Sequence, residues 1–145
     1  MKTTIYDCKV INLPKISTRK GSITPIYGGE QVPFEVQRVY YLYDVPGGES
    51  RGGHAHINLQ QLVVSVMGAF DVVLDDGLEK KRIHLDRAYY GLYIPRMIWR
   101  ELENFSSGGI CLVLASMLYD EADYIRDYPV FLRLAETNAM EVTET

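Results

Sequence analysis

Two histidines, His54 and His56, are the residues of this chain best suited to proton transfer. Side chains two residues apart on a β-strand point to the same face, so we expect both imidazoles to face one cavity. Because an imidazole gains and loses a proton near neutral pH, the pair indicates acid–base catalysis. Two alternatives stay open: a hydrogen-bonded pair in the core, or two ligands of a metal ion, which normally needs a third.

Residues at fixed distances from the pair form two known sequence patterns. Residues 48–68 are similar to the first cupin motif, G-x5-H-x-H-x4-E-x6-G, except that Gln61 replaces the carboxylate. The second motif, P-x-G-x2-H-x3-N, is kept at Pro95 and Asn104 but has Arg100 in place of its histidine. An amide is a poor metal ligand, and a guanidinium cation repels a metal ion. The resemblance therefore implies a cupin barrel in which we expect neither a metal nor another cofactor.

Cations and an aromatic residue near these motifs are candidates for binding a ligand. Arg51 precedes two glycines that allow a close backbone approach, and arginine binds phosphate through two parallel hydrogen bonds. Lys20 and Arg100 are further candidate cations. Trp99 is either a core residue or a wall against a ring-shaped ligand, and His84, in a charged hairpin, is expected at the surface.

A tyrosine-rich strand supplies two more candidates. Arg38 and Tyr40 share one face of this strand, whereas Val39, Tyr41 and Tyr43 share the other. Alternation alone leaves open which face lines a cavity and which one packs or forms an interface. Tyrosine combines an apolar ring with a polar tip, which suits a pocket for sugars or bases. Arg38 and Tyr40 are therefore kept as substrate-binding candidates.

Length and charge limit the class of protein. The chain has 145 residues, 47% of them hydrophobic, which predicts one domain over 1–145 with a core from about 4 to 128. A net charge of −4 argues against nucleic acid or an anionic membrane as a partner. No apolar run approaches the roughly 20 residues that span a bilayer, and the first residues lack a signal-peptide core. We expect a cytoplasmic protein with Cys8 and Cys111 as free thiols.

Short runs of strand-forming residues recur along the chain with turn signals between them, including a hairpin signal at 75–77. This spacing predicts an all-β protein, a jelly-roll (double-stranded β-helix) barrel. Asp120 is suited to cap a helix, and because Pro129 interrupts the helical pattern we expect two short helical pieces, then a frayed polar tail over 136–145. The predicted strands are 4–12, 22–27, 34–43, a short strand from 54, 60–66, 69–74, 80–85, 91–94, 99–104 and 110–115.

Seven motifs occur in a fixed order between residues 20 and 128: K-G-S-I at 20–23, R-V-Y-Y-L-Y-D at 38–44, R-G-G-H-A-H at 51–56, L-D-D-G at 74–77, G-L-Y-I-P at 91–95, W-R-E at 99–101 and L-A-S-M-L-Y-D-E-A-D-Y-I-R-D-Y at 114–128. This set resembles the sugar-nucleotide 3,4-ketoisomerases of the cupin superfamily. The resemblance implies metal-independent conversion of dTDP-4-keto-6-deoxy-D-glucose to a dTDP-3-keto-6-deoxyhexose, for a 3-amino-3,6-dideoxyhexose of surface polysaccharide such as lipopolysaccharide O-antigen. It also implies a homodimer with exchanged N-terminal strands and a product passed to a PLP-dependent aminotransferase.

Carbonyl chemistry then suggests roles for the candidates. The hydrogen on C3 is acidic because C3 adjoins the C4 ketone, so a base can remove it to give an enediol(ate) that is reprotonated at C4. His54 or His56 would be the base, and the other would relay protons. Arg100, Lys20 or a tyrosine would stabilise the enediolate, and Arg51 would hold the pyrophosphate. The family varies at the positions of Lys20 and Arg100, which leaves the C4 configuration open, with Arg100 favouring the gluco product.

Three competing interpretations remain. A 3,5-epimerase-like enzyme would remove protons from C3 and C5 and keep the ketone at C4, but the second histidine favours the ketoisomerase. A non-catalytic cupin would bind the sugar nucleotide unchanged. A metal-dependent dioxygenase or isomerase would contain bound metal. The fold separates none of these, because cupin barrels host many functions.

Overall fold

Twelve strands and one helix make up most of residues 2–143, the part of the chain that the computed structural model describes. Two 3₁₀ helices, Ile5–Asp7 and Glu121–Asp123, lie near the two ends. The helix, α1, spans Tyr128–Thr143. The strands are β1 (Lys9–Asn12), β2 (Ile16–Thr18), β3 (Gly21–Ile23), β4 (Arg38–Leu42), β5 (Arg51–His56), β6 (Gln61–Met67), β7 (Phe70–Asp75), β8 (Lys80–Leu85), β9 (Tyr90–Ile94), β10 (Trp99–Glu103), β11 (Ile110–Ala115) and β12 (Tyr124–Ile125).

Two five-stranded antiparallel sheets enclose the main core. The first has the order β1-β9-β6-β11-β4 and the second β12-β5-β10-β7-β8. Val63 and Leu92 of the first sheet pack in one buried cluster with Phe70 and Val72 of the second. Side chains that alternate along each strand thus meet between the sheets, as in a jelly roll. The predicted all-β barrel and the hairpin between β7 and β8 are confirmed.

The C-terminal helix covers the outer face of the second sheet. Phe131 and Ala135 of α1 pack with Trp99 of β10 in a separate buried cluster. The carboxylate of Asp127 accepts a hydrogen bond from the backbone N–H of Val130 (3.2 Å), which caps the first turn. Pro129 also lies in this first turn, where a proline needs no N–H partner, so it does not break the helix.

The helical region therefore differs from the sequence prediction. Asp120 does cap a short element, because its side chain accepts from the Ala122 N–H (3.0 Å), but that element is a 3₁₀ turn. The prediction of two short helical pieces interrupted at Pro129 is wrong in its second part, since one helix runs through the proline. The expected frayed tail is wrong up to Thr143, where α1 ends, and its last two residues lie outside the described part.

Three predicted strands are shorter than expected. The predicted strand 22–27 ends at Ile23 as β3, and the other two are shortened for local reasons. Residues 4–7 form a 3₁₀ turn because Thr4 and Asp7 make a capping box, in which the Thr4 N–H donates to the Asp7 carboxylate (2.8 Å). Residues 34–37 precede β4 instead of belonging to it. Phe34 packs with Leu62 and Val64 on the outer face of the first sheet and covers a second buried cluster there.

The β2–β3 hairpin forms a two-stranded sheet of its own, separate from the two larger sheets. Its residues are exposed, among them Ile16 and Ile23, and Lys20 lies in its turn. Within residues 2–143, no helix is long and apolar enough to cross a membrane.

Candidate active site

A β-bulge in β5 sets the position of the first histidine. His54 lies opposite Arg100 of β10, but Arg51 lies opposite Leu102, so three steps on β5 match two on β10. Gly52 sits in this bulge with a φ of +91°, a conformation that favours glycine. Gly52 thus has a structural reason: it allows the strand to bend where it enters the site.

A cavity of about 390 Å³ opens between the two sheets at this point. Its volume lies in the range of sites that hold small molecules. Arg51 and His54 come from β5, Arg100 from β10, and Gln61 from β6 across the barrel. Arg38 and Tyr40 of β4 complete the lining from the first sheet, so both sheets supply polar groups to the cavity. Its mouth carries Tyr119, Tyr124 and Arg126.

His54 lines this cavity and keeps one ring nitrogen without a hydrogen-bond partner in residues 2–143. Its Nε2 is buried and has no hydrogen-bond partner within the described residues, and its ring donates to the Gly52 backbone. Burial first, and the charge of Arg100 next, lower the pKa of His54 to about 3. The imidazole is therefore neutral at pH 7, with a free lone pair that can accept a proton.

His56 lies behind His54 and does not line the cavity, which differs from the expectation that both rings would. It is fully buried, its ring centroid lies 4.8 Å from that of His54, and the ring of Tyr124 packs 4.4 Å away. Tyr124 is its register partner on β12. Burial, followed by Arg100, lowers the pKa of His56 to about 2.

Asp123 holds His56 in one tautomer. A carboxylate only accepts, so the Nδ1 of His56 donates to it (3.2 Å) and the Nε2 of His56 keeps its lone pair. The same carboxylate accepts from the backbone N–H groups of Asn58 (2.8 Å) and Leu59 (3.1 Å). Asp123 was not identified as a functional residue from the sequence, because its partner lies 67 residues away.

Arg100 brings a buried positive charge to the cavity. Its Nη1 donates to the Oε1 of Gln61 (2.6 Å), and its Nε and Nη2 donate to the carbonyl of Ile98 (3.0 and 2.9 Å). Among the described residues, no carboxylate lies within ion-pair distance of it. Burial lowers its pKa to about 10, so it remains a cation at pH 7. A buried cation without a counter-ion is costly, which suggests that an anion completes the site.

The mouth of the cavity is cationic and aromatic. The Nε and Nη2 of Arg38 are buried without a hydrogen-bond partner in the described part of the chain, and its guanidinium lies 5.2 Å from the centroid of the Tyr40 ring. Arg126 stacks 4.2 Å from the Tyr124 ring, but its charge is balanced by Glu121 (2.7 and 2.9 Å). Arg38 is therefore better placed than Arg126 to receive an anion.

Three other sequence candidates lie away from the cavity. Trp99 points to the opposite face of β10, where it packs against Tyr128 (5.1 Å between ring centroids) and Phe131 (5.8 Å), so the core interpretation holds. Lys20 lies exposed in the β2–β3 turn and does not line the cavity of its own chain. His84 is exposed at the surface, as predicted, and pairs with Asp71 (2.7 Å).

The residues present do not fit the metal that many cupin barrels bind. Over residues 2–143, no group of three or more histidine, cysteine or acidic side chains is placed to hold an ion. Gln61, at the position of the motif carboxylate, has its Oε1 occupied by Arg100, and Arg100 itself stands at the position of the motif histidine. A guanidinium cation here opposes a divalent ion.

The two depressed histidine pKa values predict how stability depends on pH. Between pH 6.5 and about 3, the unfolded chain binds protons at His54 and His56 that the folded chain excludes. The stability that these two neutral imidazoles contribute is therefore fully present above pH 6.5. The free energy of unfolding then falls as the pH decreases from 6.5 toward the folded pKa values. We expect the free energy of unfolding by urea, measured from pH 7 to 5, to fall less steeply with decreasing pH in His54→Asn than in the unmodified protein. Parallel curves would contradict this.

The barrel, the neutral imidazole of His54 and the buried charge of Arg100 are the features of a cupin-type enzyme. A family model described as "FdtA: WxcM-like, C-terminal" matches residues 6–136. The chain belongs to this family.

Similar proteins of known activity agree with this placement. A TDP-4-oxo-6-deoxy-alpha-D-glucose-3,4-oxoisomerase from Aneurinibacillus thermoaerophilus is 46% identical over 123 residues, 85% of this chain and 88% of that protein. A mutant of the 3,4-ketoisomerase QdtA from Thermoanaerobacterium thermosaccharolyticum, solved with TDP-4-keto-6-deoxyglucose, has 36% identity and a TM-score of 0.90 over 92% of this chain and 97% of its own. The TDP-quinovose 3,4-ketoisomerase WlaRB from Campylobacter jejuni has 46% identity and a TM-score of 0.85, covering 88% and 98%.

These relatives confirm the predicted class, an isomerase of the sugar 3,4-ketoisomerase type. Solved epimerases of related sugars match at only 18 and 19% identity, with TM-scores of 0.72 and 0.70, a likeness that shows the fold alone. The competing epimerase interpretation is therefore the more distant one.

Proposed function

We propose that this chain converts dTDP-4-keto-6-deoxy-D-glucose to a dTDP-3-keto-6-deoxyhexose. The observation that carries the proposal is the pairing of His54 with Arg100 across β5 and β10, at one wall of the cavity. His54 offers an unprotonated nitrogen that can accept the C3 proton. Arg100 offers a buried charge, without a carboxylate among the described residues, where an enediolate would form.

The reaction moves protons and leaves the overall oxidation state of the sugar unchanged. The Nε2 of His54 takes the proton from C3, and the electrons of that C–H bond form the C3–C4 double bond while O4 becomes anionic. Arg100 stabilises this enediolate. The proton held by His54 then returns to C4 and the O3 hydroxyl proton passes to O4, so the ketone forms at C3 and a hydroxyl forms at C4. No hydride leaves the sugar, which is why a nicotinamide is not required.

We expect an anionic ligand to raise the low pKa of His54. A negative charge close to the ring raises the pKa of an imidazole, because it stabilises the imidazolium form. The pyrophosphate and the developing enediolate both supply such charge, and they therefore make His54 a stronger base when the substrate is bound. In this proposal His56, held by Asp123 and adjacent to His54, relays protons to the sugar oxygens.

Arg38 and Arg51 are proposed to bind the pyrophosphate. Two nitrogens of Arg38 are buried and without a partner in the described part of the chain, and Arg51 lies at the same mouth. Arginine forms charge-assisted hydrogen bonds to phosphate that each exceed a neutral one in strength. Tyr119 and Tyr124 flank this mouth with aromatic rings, which suits the base or sugar of a nucleotide.

Replacing Arg38 with methionine should weaken dTDP binding by about tenfold to a hundredfold, because a hydrogen bond to a charged group is worth roughly 1.5–3 kcal/mol. Isothermal titration calorimetry at two salt concentrations measures this, and the salt dependence of the Kd should fall with the lost charge. Arg87→Met, which removes an exposed arginine paired with Asp86, is the matched control. Equal Kd values for both variants would contradict the assignment.

We also propose a homodimer that exchanges the N-terminal strands. The β2–β3 hairpin is separate from both sheets, with Ile16 and Ile23 exposed by 55% and 67%. The outer face of the edge strand β4 also exposes Val39 and Tyr41, as an interface would require. In such a dimer, the exchanged hairpin places Lys20 at the cavity of the partner subunit, where Lys20 would help to stabilise the enediolate.

The chemistry of the product supports the rest of the proposal. A ketone at C3 is the group that a PLP-dependent aminotransferase converts to an amine, so an enzyme of that class is proposed as the next step toward a 3-amino-3,6-dideoxyhexose. Arg100, rather than histidine, favours the gluco configuration at C4. The free thiols Cys8 and Cys111 support a cytoplasmic location.

The test is direct. Purified protein is incubated with dTDP-4-keto-6-deoxyglucose in the presence of a chelator, and the carbonyl resonances are followed by ¹³C NMR. We expect the C4 ketone signal to be replaced by a C3 ketone signal. A C4 ketone that persists at high enzyme concentration would contradict the proposal.

A further inference from the structure

Gln61 connects Arg100, which lies beside His54 on the neighbouring strand, to Tyr40 of the first sheet. It is the first residue of β6, its side chain is buried, and it lies between Arg100 of the second sheet and Tyr40 of the first. Its Oε1 accepts a hydrogen bond from the Nη1 of Arg100 (2.6 Å), and its Nε2 donates to the hydroxyl of Tyr40 (3.0 Å).

Arg100 determines which way round this amide lies. A guanidinium can only donate, so the oxygen of Gln61 must face Arg100 and its NH₂ group must face Tyr40. The Tyr40 oxygen therefore accepts from Gln61, and the phenolic O–H is left to point elsewhere. Tyr40 lines the cavity, and burial raises its pKa above the ordinary value, so the phenol keeps its proton at pH 7.

We propose that Gln61 is a positioning residue that orients the Tyr40 hydroxyl as a donor into the cavity and fixes the guanidinium of Arg100 beside it. The inference rests on the proposed function, because the two aligned donors would face the oxygens of the enediolate. Preorganised donors stabilise a developing charge at no reorganisation cost when the reaction occurs. The position that holds a metal-binding carboxylate in the cupin motif thus carries an amide that aligns two donors.

A carboxylate at this position should reverse the arrangement. In Gln61→Glu, the introduced carboxylate accepts from both Arg100 and Tyr40, so the phenolic proton turns away from the cavity and the charge of Arg100 is neutralised. We expect kcat to fall by about 100-fold or more, the effect of losing one oxyanion donor. The KM should change much less, because Gln61 is not among the groups proposed to hold the nucleotide.

The chain offers a matched control one residue away. Gln60→Glu introduces the same charge, and Gln60 accepts a hydrogen bond from Tyr93 (2.5 Å), which is not among the cavity residues. This variant should keep the kcat of the unmodified protein. Gln61→Met tests the same position without a new charge and should also lower kcat, since neither donor is then held. All assays contain a chelator, because the variant restores the carboxylate of the metal-binding cupin motif.

A double-mutant cycle separates positioning from space filling. If Gln61 acts through Tyr40, then Tyr40→Phe combined with Gln61→Glu loses less activity than the product of the two single losses. A side chain that only fills the core would give multiplicative losses, and that result would overturn the inference. Unchanged kcat in Gln61→Glu and Gln61→Met would also overturn it, while leaving the proposed function intact. No turnover by the unmodified protein would overturn the proposed function itself, and the inference with it.

Discussion

Replacing His54 with asparagine is expected to lower kcat by about 10²- to 10⁴-fold, the usual contribution of a positioned general base. An asparagine amide cannot accept the C3 proton, so the variant lacks the base that starts the reaction. Replacing both His54 and His56 should abolish turnover. Binding of dTDP should persist in both variants, because the arginines proposed to hold the pyrophosphate are unchanged.

Single-turnover kinetics together with calorimetric titration of dTDP would measure this. His84→Asn is the matched control, because His84 is exposed on β8 and should be replaceable without loss of activity. Comparing His54→Asn with His56→Asn distinguishes the base from its neighbour: only the base should be required for exchange of the C3 hydrogen. Undiminished turnover in the double variant would contradict the assignment of either histidine.

Replacing Arg100 with methionine is expected to lower kcat by about 10²- to 10³-fold, as does the loss of a donor that stabilises an oxyanion. Arg100 is buried, and no carboxylate among the described residues neutralises it, so the site contains a positive charge that a developing enediolate can use fully. Arg133→Met, which removes an exposed arginine of α1, provides the control and should retain activity.

The same variant has a second, independent readout. Burial first and Arg100 second lower the pKa of both His54 and His56, so removing the charge should raise both values in part. An NMR titration of the imidazole nitrogens measures this shift without any substrate. Full turnover in Arg100→Met, or histidine pKa values that do not move, would show that the charge does not act on this cavity.

The barrel and part of the site could be predicted from the sequence because they depend on spacing along single strands. The alternation of Arg38 and Tyr40 against Val39 and Tyr41 correctly indicated two different faces, and the structure shows that the first pair lines the cavity. The same rule could have excluded Trp99. Neighbours on a strand point to opposite faces, so Trp99 and Arg100 cannot both face one cavity.

The rest depends on contacts between distant segments. His56 shares a face with His54, as period two requires, but β12 pairs with β5 and places the ring of Tyr124 against His56. Asp123 reaches His56 for the same reason, through a 3₁₀ turn that follows the barrel strands. No local pattern in the chain indicates which strand β12 pairs with, so these residues were not found from the sequence.

A ¹H NMR time course of the purified protein with dTDP-4-keto-6-deoxyglucose in D₂O, with a chelator present, would show whether this protein is a 3,4-ketoisomerase. We expect the C4 ketone to be lost, a C3 ketone to appear and one deuterium to be incorporated at C4. A parallel reaction in H₂O keeps the hydrogen on C4, whose coupling constant to the C5 hydrogen reports the C4 configuration. Deuterium at C3 or C5 with the ketone still at C4 would indicate an epimerase instead. Bound nucleotide without any exchange would contradict a catalytic role.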